Sequence, residues 1–281
     1  MENEKVWFVT GASQGLGLAL VKKLLQSGYA VAATSRNSQS LTDELGEPSE
    51  AFLPLEVSLT EEQNVKTAIE KAIGHFGHID VVVNNAGYGQ LGTLEELSDQ
   101  EARANFEVNI FGALHVIRHV MPYLREQRSG RIFNISSIGG LFGSFPGWGI
   151  YCATKFAMAG LTESLAEEVK DFGIKATVIY PGYFRTNFLT KGSVRSAQRS
   201  IAEYEAAREV ERAHFDNING NQPNDPDKAA EAIIAMAKEE NPPVHLLLGV
   251  DTVDILNAKL ERLDKDVKSW ETYTLSTGFP S

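Results

Sequence analysis

The sequence is poor in cysteine, in positive charge and in long apolar runs. One cysteine, Cys152, stands among 281 residues. No intramolecular disulfide can form, and a reducing compartment fits. Lys and Arg number 26 against 37 Asp and Glu, a formal net charge of −11. That balance lacks the basic face that nucleic acid or an anionic membrane requires. It does not exclude a phosphate-bearing ligand held locally by backbone N–H groups. The first apolar run, Val6-Trp7-Phe8-Val9, is too short for a signal or membrane segment. These absences predict a cytoplasmic protein without nucleic-acid or membrane partners. No linker rich in Pro, Gly or Ser divides the chain, and no repeat is present. We expect a single domain over residues 1–281, able to bury about three quarters of its unfolded surface.

What is present is an alternation of short apolar runs and amphipathic stretches. Strands are expected at residues 6–10, 29–34, up to Val57, 79–83, 131–135, 175–180 and 244–248. Helical patterns lie between them, at Leu18–Leu25, from a Thr60 cap to Gly74, across 99–128 and from Tyr151 to Phe172. Two more follow at about 227–240 and 251–268. Such alternation predicts an α/β fold, a Rossmann-like, doubly wound, mostly parallel seven-stranded sheet flanked by helices. Residues 183–226 are polar and uneven and read as a mobile substrate-binding insertion. Residues 269–281 read as an irregular tail.

Between the first strand and helix stands Thr10-Gly11-Ala12-Ser13-Gln14-Gly15-Leu16-Gly17. Glycines there permit a tight turn, and the helix start can meet a pyrophosphate. The second strand ends in Thr34-Ser35-Arg36-Asn37, with no acid to take a ribose 2′-hydroxyl. Ser35 and Arg36 suit a 2′-phosphate, so NADP(H) is the preferred cofactor, with NAD(H) also accommodated. Asn84-Asn85-Ala86-Gly87 follows the fourth strand, where small and amide side chains let backbone approach a ligand. Tyr151 and Lys155 stand four apart in a helical pattern and share a face. A nearby ammonium lowers a phenol's pKa and makes the pair an acid/base device. His115 and His119 have a spacing that can bind zinc, but no Glu or Cys accompanies them. A helix face or subunit contact is expected there, and no metal site.

Thr10-Gly11-x-x-x-Gly15-x-Gly17, Asn84-Asn85-Ala86-Gly87, Asn109, Ser137, Tyr151-x-x-x-Lys155 and Pro181-Gly182 together resemble the short-chain dehydrogenase/reductase family. The resemblance runs from about Val6 to Gly182 and more weakly to about Leu260. It implies an NAD(P)-dependent oxidoreductase that interconverts carbonyl and alcohol. Tyr151 would donate or accept the proton. Lys155 would hold the nicotinamide ribose and depress the Tyr151 pKa. Ser137 would hydrogen-bond the substrate oxygen, and Asn109 would position a water that links Lys155 to solvent. Gly11, Ser13, Gln14, Gly15, Leu16 and Gly17 would surround the pyrophosphate, and Glu56, Val57, Asn85, Ala86 and Gly87 the adenosine side. Pro181, Gly182 and Thr186 would adjoin the nicotinamide.

Three features depart from the family pattern. Glu56 replaces a common aspartate, Gln14 a basic residue of some relatives, and the Ser137–Tyr151 gap is one residue longer than in many members. Phe142, Phe145, Trp148, Tyr183, Phe184, Phe188 and Leu189 are expected to line an apolar substrate pocket. The leading expectation is an NADP(H)-dependent ketone or aldehyde reductase. The alternative is a non-catalytic NADP(H)-sensing protein. A sugar-nucleotide epimerase would need a larger C-terminal substrate domain. The resemblance also implies a homodimer or homotetramer built on the helices near 99–128 and 151–171.

Overall fold

The structure is a computed structural model that describes residues 5–190 and 192–279. Nine strands are present among them: β1 Val6–Val9, β2 Ala30–Ser35, β3 Phe52–Glu56, β4 Val81–Asn84, β5 Gly89–Leu91, β6 Gly130–Ile135, β7 Ile174–Pro181, β8 Val194–Ser196 and β9 His245–Leu248. The helices are α1 Gly15–Gln26, α2 Gln39–Leu45, α3 Glu62–Phe76, α4 Asp99–Phe106, α5 Gly112–Gln127, α6 Gly149–Val169, α7 Glu205–Arg212, α8 Pro226–Met236 and α9 Thr252–Leu275. Seven strands form one sheet in the order β3-β2-β1-β4-β6-β7-β9. All of its pairings are parallel.

Parallel sheets need both faces covered, and β1 shows how this sequence supplies them. Val6 and Phe8 point into a core shared with α3, α5 and α6. Trp7 and Val9 point into the opposite core, shared with α1 and α8. The period of two along the strand therefore feeds two hydrophobic layers. The strand order reverses between β1 and β4, which opens a crevice at their carboxyl ends.

The structure departs from the sequence reading in four places. The amphipathic stretch 99–128 is two helices joined by a π turn, Glu107–Phe111. Helix α3 starts after Glu61, whose side chain makes no cap, while the Thr60 hydroxyl pairs with that of Ser58 at 3.0 Å. The segment 183–226 contains strand β8, which pairs with β5 in a small second sheet, together with α7 and a π stretch at Ala213–Ile218. The expected irregular tail at 269–281 is helical through Leu275. Its helix is supported by pairs four apart such as Lys268 and Asp264, 2.7 Å apart.

Candidate active site

The crevice is a single cavity of about 460 Å³. Its first wall is mostly backbone. Gly11 has φ +63°, and a Cβ there would lie 2.7 Å from the Ala86 Cα. The turn and the Asn84–Gly87 segment thus touch at a distance only glycine permits. The contact is then tied. The Thr10 hydroxyl accepts the N–H groups of Asn85 and Ala86 at 3.0 and 3.1 Å. The Asn85 side-chain amide donates to the carbonyls of Thr10 and Gly11 at 3.0 and 2.9 Å. Helix α1 begins directly beyond, with no side-chain cap and no acid in its first turn. Its free N–H groups and positive dipole end face the cavity at Gly15 and Leu16. That donor set fits a dinucleotide's pyrophosphate. Ser35 and the exposed Arg36 lie at the far end of this wall. Arg36 has no ion-pair partner among the described residues.

The second wall carries side chains. Tyr151 and Lys155 are buried on α6 with Ser137 beside them, and all three line the cavity. The Lys155 ammonium lies 5.6 Å from the Tyr151 ring centre and donates to the Ile135 carbonyl at 2.9 Å. Burial pushes the Tyr151 phenol well above its ordinary value, and the hydrogen bond with Ser137 opposes that shift. Burial also lowers the Lys155 ammonium to about 8. The expected depression of the Tyr151 pKa by Lys155 is therefore not found. Desolvation of the phenol dominates, so Tyr151 is protonated at neutral pH. Ser137 also caps the following turn, accepting the Gly139 N–H at 3.1 Å. Thr186 behaves likewise, accepting the Phe188 N–H at 3.3 Å while lining the cavity.

Most of the expected residues meet here. Gly11, Ser13, Gln14, Gly15, Leu16, Ser35, Arg36, Val57, Asn85, Ala86, Gly87, Pro181, Gly182 and Thr186 line the cavity on the cofactor side. Phe145, Trp148, Tyr183, Phe184, Phe188 and Leu189 line the other. Four do not line it. Gly17 lies behind the turn, where a Cβ would stand 2.4 Å from the Asn85 amide nitrogen. The Glu56 carboxylate turns outward and accepts the Ser38 N–H at 3.4 Å. Phe142 packs edge-on against Phe145, 5.5 Å between centroids.

Asn109 is the fourth, and it is buried. Its oxygen accepts the Tyr88 N–H at 3.0 Å, and its nitrogen donates to the Tyr88 carbonyl at 3.1 Å and to Thr154 Oγ1 at 3.0 Å. Thr154 in turn donates to the Tyr151 carbonyl at 2.7 Å. Its side chain thus braces the Tyr151 turn. His115 and His119 point to α3, contacting the Leu59 carbonyl at 2.9 Å and Glu62 at 3.0 Å.

The sequence reading missed Tyr88, Cys152, Ser193, Arg195, His214 and Gln222, all on the cavity. Tyr88 and Cys152 adjoin motif residues, and that adjacency was the available signal. His214 and Gln222 sit in the polar segment with no motif near them. Gln14 reaches across to Ser193 at 2.8 Å, joining the glycine turn to the β8 segment.

Comparison with known proteins agrees with this geometry. A family model described as short chain dehydrogenase matches residues 5–196. Oxidoreductase BOA17 of Botryotinia fuckeliana is 35% identical, over 97% of this chain and 99% of its own. A 3-ketodihydrosphingosine reductase of Bacteroides thetaiotaomicron is 34% identical, over 91% of each. A crystal structure of a short-chain dehydrogenase from Streptomyces avermitilis superposes with a TM-score of 0.90 at 36% identity, covering 99% of this chain and 100% of that one. ElxO, solved with NADP bound, has a TM-score of 0.71 at 27% identity over 87% of this chain and 96% of that one. The 3-ketoacyl-(acyl-carrier-protein) reductase of Brucella melitensis, complexed with NADH, has a TM-score of 0.73 at 25% identity over the same shares.

Proposed function

Because this chain belongs to the short-chain dehydrogenase family, we propose that it is an NADP(H)-dependent reductase of largely apolar ketones or aldehydes, with Tyr151 as its proton donor. The observation that carries this reading is the meeting of Tyr151, Ser137 and Lys155 on the same cavity as the uncapped start of α1. A nicotinamide cofactor held along the glycine turn would supply the hydride for the carbonyl carbon. The chain's own groups do the rest. The Ser137 hydroxyl hydrogen-bonds the carbonyl oxygen, where negative charge develops. The Tyr151 hydroxyl gives that oxygen its proton, and the product is an alcohol. Lys155, lowered to about 8, is still a cation at neutral pH and stands 5.6 Å from the Tyr151 ring centre.

Arg36, exposed at the end of β2 and without an ion-pair partner among the described residues, supports NADP(H) over NAD(H). The aromatic wall of Phe145, Trp148 and Phe188 supports an apolar substrate body. The exposed rings of Phe111 and Phe156 support an oligomer built on the helices near 99–128 and 149–169. The test is consumption of NADPH and NADH by the purified protein against a panel of apolar ketones and aldehydes, beside Tyr151→Phe. Turnover with NADPH that disappears in the variant is expected. Tight NADPH binding by both proteins with no turnover of any carbonyl would return the sensing alternative to the front.

A further inference from the structure

One inference rests on the reductase reading and narrows its substrate. The polar groups of the second wall form a chain whose hydrogen-bond direction is fixed. His214 Nδ1 lies 2.7 Å from the Val210 carbonyl, which can only accept, so Nδ1 carries a hydrogen. Burial disfavours a second proton on the ring, and Nε2 is left as a bare lone pair. The Tyr183 hydroxyl lies 3.0 Å from Nε2 and must be the donor. Its one hydrogen is thus engaged, and toward the cavity the Tyr183 oxygen can only accept.

Both rings are held in place. The Tyr183 N–H donates to Asp251 Oδ2 at 2.9 Å, and its carbonyl accepts from the Asn224 N–H at 3.2 Å and side-chain amide at 2.9 Å. The His214 ring sits 5.1 Å from Trp148. Tyr183 and His214 line the cavity with Tyr151. The neighbouring wall of Phe145, Trp148 and Phe188 is apolar, and the Tyr183 oxygen is a fixed acceptor on it; Gln222 Oε1, buried without a partner among the described residues, is a second acceptor on the cavity. We propose that Tyr183, oriented by His214, selects substrates that carry an O–H or N–H donor next to the carbonyl, on an otherwise apolar body.

The probes are a long-chain α-hydroxyketone and its methyl ether, which differ in that one hydrogen. Their affinities are measured by calorimetry on full-length Tyr151→Phe saturated with NADP⁺, where no proton transfer runs. The hydroxyketone should bind about tenfold more tightly, the scale of one hydrogen bond with its unsatisfied partner. Adding Tyr183→Phe should erase the preference. Adding His214→Phe should shrink or reverse it, because the freed phenol can then donate. Equal affinity for the two ligands in Tyr151→Phe overturns the proposal without any further variant. A preference that survives Tyr183→Phe overturns it as well. Failure of the reductase reading is separate, since it appears as absent NADPH consumption with every carbonyl.

A second inference comes from the far end of the chain. Beyond Arg262, whose guanidinium donates to Ser144 Oγ at 3.2 Å, α9 stands off the body, with Val267 and Trp270 61% and 62% exposed. Val253, Leu256, Leu260, Leu263, Val267 and Trp270 follow the alternating three- and four-residue spacing of a two-helix seam. An antiparallel pairing centred between residues 261 and 262 sets Leu260 against Leu263 of a second copy and Val253 against its Trp270. The same register sets Val250, 78% exposed at the helix base, against its Tyr273. Lys259 and Asp266 flank the seam and have no ion-pair partner among the described residues. Antiparallel pairing brings each Lys259 beside Asp266 of the other copy, whereas parallel pairing would oppose Asp266 and Glu271. We infer that α9 is an antiparallel interface with α9 of a second copy of this chain. Sedimentation of the full chain should give an assembly whose mass halves in Val267→Glu. Lys259→Asp should weaken that assembly at least about tenfold, and Lys259→Asp with Asp266→Lys should restore it. An unchanged mass in Val267→Glu, or a monomeric wild type, overturns the inference.

Discussion

The two walls of the cavity are built differently. The cofactor wall is a backbone contact between neighbouring strands, closed by the Thr10 hydroxyl and the Asn85 amide. The substrate wall gathers side chains from three separated stretches, 145–152, 183–189 and 214–222. A backbone cradle leaves glycines in the sequence, because no other residue tolerates φ +63° with an Ala86 Cα so near Gly11. A side-chain wall leaves little trace, since many aromatic and polar combinations fill the same volume. The first wall can serve a cofactor common to many enzymes, and the second can vary with substrate.

Substitutions sharpen this contrast. The largest effect is expected from Tyr151→Phe, where kcat should fall by about 10²–10⁴, the contribution of a positioned general acid. NADPH binding, followed by fluorescence, should persist; a loss of binding would mean that the two walls are not independent. Gly11→Val comes next. Its Cβ would meet Ala86 in a strained backbone conformation, at a cost of about 1–3 kcal/mol, and NADPH affinity should collapse in calorimetry. Retained affinity would show that the turn tolerates a side chain and would dissolve the contrast.

Arg36→Ala should raise the NADPH KM about tenfold, on the scale of a charge-assisted hydrogen bond, and leave the NADH KM unchanged. An unchanged NADPH KM removes Arg36 from the phosphate site. Lys155 connects the walls and has a pH signature. Its folded pKa is about 8, below the unfolded value of about 10.4. Between those values the unfolded chain binds more protons, so folding stability rises with pH. Urea unfolding of wild type relative to Lys155→Met should therefore show a growing wild-type advantage from pH 8 to 10. A flat difference would contradict the shift. The smallest effect is expected at Phe142→Ala, which should leave substrate ranking intact while Phe145→Ala alters it. The reverse result would put Phe142 in the pocket.

Several features were visible before any fold was known. The alternation of apolar runs announced the parallel sheet, and β1 shows why: four apolar residues in a row serve two cores at once. The spacing of Tyr151 and Lys155 put them on one helix face, and the cavity lies on that face. Other features resisted reading. Asn109 stood in the expected order, yet its amide is engaged by Tyr88 and Thr154, partners supplied by other elements. Glu56 was expected at the adenine, but the strand's pleat turns it outward to Ser38.

The sequence by itself therefore determined what local geometry demands: the layered sheet, the glycine turn before α1 and the shared face of Tyr151 and Lys155. These follow from backbone sterics and helix periodicity, which act over a few residues. Only the tertiary structure decided the upward shift of the Tyr151 phenol and the direction of the His214–Tyr183 hydrogen bond. Both depend on what buries a group and which carbonyl it meets, and those neighbours arrive from distant parts of the chain.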